Sequence, residues 1–183
     1  MLRLFIALRP PEHVRDVLLD LADGVDEARW QDEDQLHLTL RFVGEVERPA
    51  AEDLADALAT LRAPAPAVRL AGVGAWGGRG RAGVLWAGVE PPGEVAALHR
   101  KVDQLCVRVG LAPEGRAFRP HVTVARLPRG VPVGGPTVSD WLLKHAGFAS
   151  EAFRFDRAIL YRSHLGRGGA SYEPLVETPL AVG

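Results

Sequence analysis

Two short segments of one pattern, His37-Leu38-Thr39-Leu40 and His121-Val122-Thr123-Val124, lie 84 positions apart in a chain of 183 residues. No other feature of the sequence limits the fold as strongly. Polar and apolar residues alternate in each copy, which is the periodicity of a β-strand with one buried face. The histidine and threonine of each copy therefore share a face. Leu36, Leu38, Leu40 and Val122, Val124 point the other way, toward a core. Each copy also follows a strand and a helix. Two similar α/β halves facing each other would bring both polar faces to one cleft.

The rest of the chain fits two such halves. Leu2, Leu4, Ile6 and Leu8 alternate with Arg3, Phe5, Ala7 and Arg9 as in a strand. Pro10-Pro11 then opens a helix with Val14, Val17, Leu18 and Leu21 on one stripe, ended by Gly24. The first motif strand is expected over 36–43, closed by Gly44. A helix carrying Leu54, Leu58 and Leu61 follows, stopped by Pro64 and Pro66. Strands are expected at 68–73 and 84–89, joined by the loop Gly77-Gly78-Arg79-Gly80-Arg81. Val95, Leu98, Val102, Leu105 and Val109 recur at helical spacing, with Gly110 at the cap. The second motif strand covers 121–127, and a short helix lies around 138–144. A β-rich stretch over 153–165 precedes the tail.

Composition narrows the class. The length suits one compact domain. A net charge of −1 supplies no general basic field, so any RNA partner is held locally, by its end. Cys106 is the only cysteine, which excludes an internal disulfide and a cysteine zinc cluster. The apolar start is interrupted by Arg3 and closed by Arg9-Pro10-Pro11, unlike a signal peptide. No run approaches the ~20 apolar residues that span a bilayer. The expected location is cytoplasmic.

Two histidines and two threonines across one cleft suit a phosphodiester. One imidazole takes a proton from water, the other protonates the departing ribose oxygen, and the hydroxyls hold non-bridging oxygens. A single His-x-Thr on a strand is usually chance. Two copies on matched strands, flanked by apolar positions, are much harder to dismiss.

The motif pair resembles that of the 2H phosphoesterase superfamily, and the flanking residues resemble its RNA 2',3'-cyclic phosphodiesterases, also called 2'-5' RNA ligases. The similar stretches are Leu4-Phe5-Ile6-Ala7-Leu8, Leu36-His37-Leu38-Thr39-Leu40 with Phe42 and Gly44, and Val84-Leu85-Trp86-Ala87-Gly88-Val89. Arg119-Pro120-His121-Val122-Thr123-Val124-Ala125-Arg126 and Leu160-Tyr161-Arg162-Ser163 complete them, end to end along the chain. The resemblance implies an α+β fold of two lobes in one domain, 1–183. Its two pseudo-symmetric antiparallel sheets carry outer helices and enclose a central groove. It implies hydrolysis of an RNA 2',3'-cyclic phosphate end to a 2'-phosphate without metal or other cofactor, and the expected state of the chain is a monomer. Reversible 2'-5' joining occurs in some members. Carried over by position, His37 is the proton donor and His121 the proton acceptor, Thr39 and Thr123 contact the phosphate, Arg126 offsets its charge, and Phe42 stacks on the terminal base.

Arg126 and Phe42 each lie five positions after their histidine, where alternation places them on the opposite face. They reach the groove only if the strand ends or bulges. A solvent-facing arginine and a core phenylalanine are the plain alternatives. His13, His99 and His145 are expected in solvent, and His164 at most lines the groove. Trp30, Trp76 and Trp86 read as packing residues. Asp32, Glu33 and Asp34 read as a solvated turn. The 77–81 loop lacks the Gly-Lys-Ser/Thr ending of a phosphate-binding loop, and a plain hairpin turn suits it better than an RNA contact. Three alternatives stay open: a metal-dependent phosphodiesterase, for which further ligands at sensible spacing are missing; a non-catalytic RNA-end-binding module; and an enzyme of the same fold acting on small cyclic phosphates or 2'-5' oligoadenylates.

Overall fold

The structure, a computed structural model, describes residues 1–77, 82–167 and 169–182. The expected 77–81 loop, beyond Gly77, lies outside the described residues. In chain order the elements are β1 (Leu2–Leu8), α1 (Glu12–Leu19), β2 (Arg29–Trp30), β3 (Leu38–Val46), α2 (Arg48–Ala59), β4 (Ala67–Trp76) and β5 (Gly83–Glu90). They continue with α3 (Gly93–Arg108), β6 (His121–Leu127), α4 (Pro136–Lys144), β7 (Phe153–Arg154), β8 (Arg157–Gly166) and β9 (Gly169–Pro179). The strands form two antiparallel sheets, one ordered β3-β1-β8-β9 and the other β2-β6-β5-β4-β7. The expected α+β architecture is therefore present. No described helix is long and apolar enough to cross a membrane.

Strand alternation separates two faces. On β1, Leu4, Ile6 and Leu8 join the main core, while Phe5 and Ala7 join a second cluster with Ile159, Tyr161 and Tyr172. The main core runs continuously through both sheets and all four described helices, with Leu18, Leu54, Leu58, Leu98, Leu105 and Trp141 almost fully buried. Each such side chain contributes about 1.5–3 kcal/mol by leaving water. With one face of each sheet sealed by helices, the other face is left for the histidines.

Two expectations about the elements need correction. Strand β3 starts at Leu38, so His37 sits just before it, and Gly44 does not end it. Gly44 has φ +88°, a left-handed conformation that glycine adopts without strain, and the strand continues to Val46. The β-rich stretch also does not end at 165: the tail adds β9, eleven residues paired to β8. Pro174, Pro179 and a mostly exposed side-chain set hide it, because β9 is an edge strand where proline is tolerated.

Candidate active site

Each motif strand contains a bulge at the same position of the repeat. On β3, Ile6 pairs with Arg41 and Ala7 with Thr39, so Leu40 has no partner. On β6, Leu85 pairs with Ala125 and Trp86 with Thr123, so Val124 has none. One extra residue reverses the alternation beyond it. Phe42 therefore pairs with Phe5 and shares a face with Thr39, and Arg126 pairs with Val84 and shares a face with Thr123 and His121. Both bulge carbonyls are satisfied. Leu40 O accepts from His99 Nδ1 at 2.7 Å, and Val124 O from the Gln31 amide at 2.8 Å. The face opposite the helices thus carries His37, Thr39, Phe42, His121, Thr123 and Arg126. Phe42 is 37% exposed rather than core, with the Arg3 guanidinium 5.0 Å from its ring centre, and Arg126 is exposed on its shared face.

The histidines are held in the same manner. His37 Nδ1 lies 2.7 Å from the Gln35 carbonyl, and His121 Nδ1 lies 2.7 Å from the Arg119 carbonyl. A carbonyl only accepts, so Nδ1 carries the proton in both rings. Nε2 is then the atom free to take or give a proton. Each ring is braced by aromatic side chains. His37 has Phe5 at 4.9 Å and Tyr172 edge-on at 5.1 Å. His121 has Trp76 edge-on at 4.5 Å, with Trp86 packed behind it at a tilt, 4.8 Å from Trp76. Gly74 makes room for this arrangement, since a Cβ there would lie 2.0 Å from the Trp86 ring.

Burial, and then the positive charges of Arg126 and His121, push the His37 pKa down to about 4 against the opposing pull of the Gln35 carbonyl. Burial likewise lowers that of His121, opposed by the Arg119 carbonyl. Both imidazoles are thus neutral near pH 7 in the free protein, and an anion arriving between them favours protonation of either. Arg126 is close enough for its charge to be felt at His37, which links the two motif strands electrostatically. Among the described residues, no three His, Cys, Asp or Glu side chains gather as a metal-binding group.

Several side chains fall elsewhere than expected. His99 is not in solvent: it spans from α3 to the Leu40 bulge and stacks on Phe118 with ring centres 4.1 Å apart. His145 is also half-buried, its Nε2 3.1 Å from Asp23 and its ring against Trp141. His13 is exposed, and His164 is a surface partner of Glu173 at 2.8 Å. Trp76 and Trp86 do pack, but against a motif histidine. Asp34 and Glu33 form the expected exposed turn and hold Arg9 and Arg15. Tyr172 had no sequence signal at all. Tyr161 and Phe5 lay within family-like stretches, but nothing local marked them as walls of the site.

Comparison with known proteins adds independent information. The family described as LigT like phosphoesterase matches residues 8–86 and 88–172. An RNA 2',3'-cyclic phosphodiesterase of Aeropyrum pernix is 36% identical over 52% of this chain and 55% of its own length. One of Geobacillus stearothermophilus is 30% identical over 88% of this chain, and this chain spans about half of that protein (50%). The structure of Escherichia coli LigT complexed with 3'-AMP superimposes with a TM-score of 0.77 at 27% identity, covering 98% of both chains.

Proposed function

Because the chain belongs to the LigT like phosphoesterase family, we propose that it hydrolyses the 2',3'-cyclic phosphate at the end of an RNA to a 2'-phosphate. The observation that carries this reading is the pair of Nδ1-anchored histidines on two equivalently bulged strands. The names of the Aeropyrum and Geobacillus relatives support the substrate class. In this scheme water attacks phosphorus and passes a proton to His121 Nε2. The bond from phosphorus to the ribose 3' oxygen breaks, and His37 Nε2 supplies that oxygen with a proton. Thr39 and Thr123 hold the non-bridging oxygens, and Arg126 offsets the charge that builds on them. Phe42 stacks on the terminal base. A 5'-hydroxyl of RNA in place of water, taking the same forward steps, gives a 2'-5' bond and a free 3'-hydroxyl, and the reverse steps cleave that bond. The reading takes residues 1–183 as one domain of two lobes, which the continuous core supports, and the protein as a monomer.

The test is direct. An RNA oligonucleotide ending in a 2',3'-cyclic phosphate is incubated with the protein and the position of the product phosphate determined. A 2'-phosphate is expected. A 3'-phosphate, or binding without turnover, would overturn the proposal. Imidazole acid–base chemistry needs no cation, and the lack of a three-donor group among the described residues accords with that route. Excess EDTA should therefore leave the rate within about twofold. Loss of activity to chelator with recovery on one added metal would replace the scheme by a metal-dependent one.

The pH profile follows from the two lowered pKa values. The scheme needs His37 protonated and His121 neutral together, and kcat/KM reports the free protein. It should peak between pH 4 and 6.5 and fall about tenfold per unit on the alkaline side, where the donor is empty. Bound phosphate anion raises both pKa values, so kcat should peak at higher pH than kcat/KM. The two limbs belong to the coupled pair rather than to either ring. A flat kcat/KM from pH 5 to 9 would rule out the two-histidine scheme.

A further inference from the structure

We propose that a cavity of about 710 Å³ beside His37 binds the penultimate nucleoside of a cyclic-phosphate-ended RNA; the inference rests on the phosphodiesterase reading above. The cavity lies on the His37 face of the first sheet, over β8 and β9, and neither motif histidine lines it. It shares a wall with the site. Tyr172, edge-on to His37, and Gln35, whose carbonyl anchors that ring, both line it. Its volume lies within the about 300–1,000 Å³ usual for small-ligand sites.

The lining selects for chemistry. Tyr172 and Pro174 offer apolar surface against which a base can stack, above the buried side chains of Ile159 and Tyr161. The charges balance: four arginines line the cavity with four carboxylates. Arg9 is spent on Asp34 at 2.9 Å, and Arg157 on Glu177 at 2.7 Å and Asp156 at 3.0 Å. A balanced lining does not attract a second phosphomonoester; it suits a neutral heterocycle and its ribose. Arg154 differs. It gives one N–H to the Ala65 carbonyl and forms no ion pair among the described residues, which leaves donors for the phosphodiester joining the last two nucleosides. Phe42 lies on the same sheet face on β3, across β1 from the cavity over β8 and β9, and the proposed function places the terminal base there. The terminal nucleoside has one base, so the cavity on the other side of His37 is left for the next nucleoside.

The test compares kcat/KM for a nucleoside 2',3'-cyclic monophosphate and for a dinucleotide ending in the same group. The wild-type protein should favour the dinucleotide by ten- to a hundredfold, roughly the range of one stacked base. Pro174→Trp, which puts an indole into the cavity, should cut the dinucleotide to the level of the mononucleotide while the mononucleotide keeps its rate. Arg154→Ala should raise KM severalfold for the dinucleotide alone. Unchanged mononucleotide turnover is itself the folding control, and Arg154→Ala decides the matter if Pro174→Trp does not fold. Equal use of both substrates by the wild-type protein, or a preference that survives in folded variants, would overturn the subsite and leave the phosphodiesterase reading standing. Hydrolysis of neither substrate would sink that reading and the subsite with it.

Discussion

Single-turnover hydrolysis of a cyclic-phosphate-ended RNA should fall by about 10²–10⁴-fold in His37→Ala and again in His121→Ala. Each ring is tied back through Nδ1 to the carbonyl two residues earlier, which leaves Nε2 free for proton transfer. Removing either leaves water without its base or the ribose oxygen without its acid. The double variant should lose less than the product of the single losses, because in the proposed scheme the two imidazoles act in one proton-transfer event. Binding should suffer much less, since Thr39, Thr123 and Arg126 remain. Both variants should fold. His37 is half-buried against Phe5 and Tyr172, and its loss leaves a gap in a groove wall rather than in the main core. Circular dichroism checks this. A folded single variant with a near-wild-type rate would remove that histidine from the chemistry and end the scheme.

Arg126→Ala should lower kcat by about 10²–10³-fold, the usual cost of losing one preorganised charge partner at a reacting oxygen. The guanidinium stands on the face of His121 and Thr123 only because Val124 bulges. Arg126→Lys restores the charge but not two-pronged hydrogen bonding, so recovery should be partial. A second readout separates this role from a structural one. Arg126 is one of the charges that lower the His37 pKa, so alanine should raise the lower of the two apparent pKa values of the kcat/KM profile, while lysine should leave it near its original place. Full activity and an unmoved profile in Arg126→Ala would return the residue to a plain surface arginine.

Much of the site was legible because side-chain direction along a strand is a local property. Alternation alone put His37 with Thr39 and His121 with Thr123, and it assigned Leu38, Leu40, Val122 and Val124 to the buried side, as found. The helix of residues 93–108 was legible from its apolar spacing, with Gly110 at its end in a left-handed conformation, φ +89°. Phe42 and Arg126 were not settled in this way. The five-residue spacing stated the condition, a bulge, but whether a strand bulges depends on the register of its neighbour, and β1 and β5 lie far away in sequence. β9 was hidden because an edge strand need not bury a regular face. His99 and His145 were misplaced because their partners, the Leu40 carbonyl and Asp23, are 59 and 122 residues away.

By itself the sequence determined which residue types would share each face, that two such faces would occur half a chain apart, and which family the whole resembles. Those follow from periods of two and 3.6 residues and from motif identity, which need no knowledge of neighbours. Only the tertiary structure decided that both strands bulge at the same place and bring Phe42 and Arg126 beside the threonines. It also decided that Phe5, Tyr172, Trp76 and Trp86 wall in the imidazoles, and that burial with a nearby arginine lowers the pKa of His37. Register, burial and electric field are sums over groups distant in the chain, so no local pattern carries them.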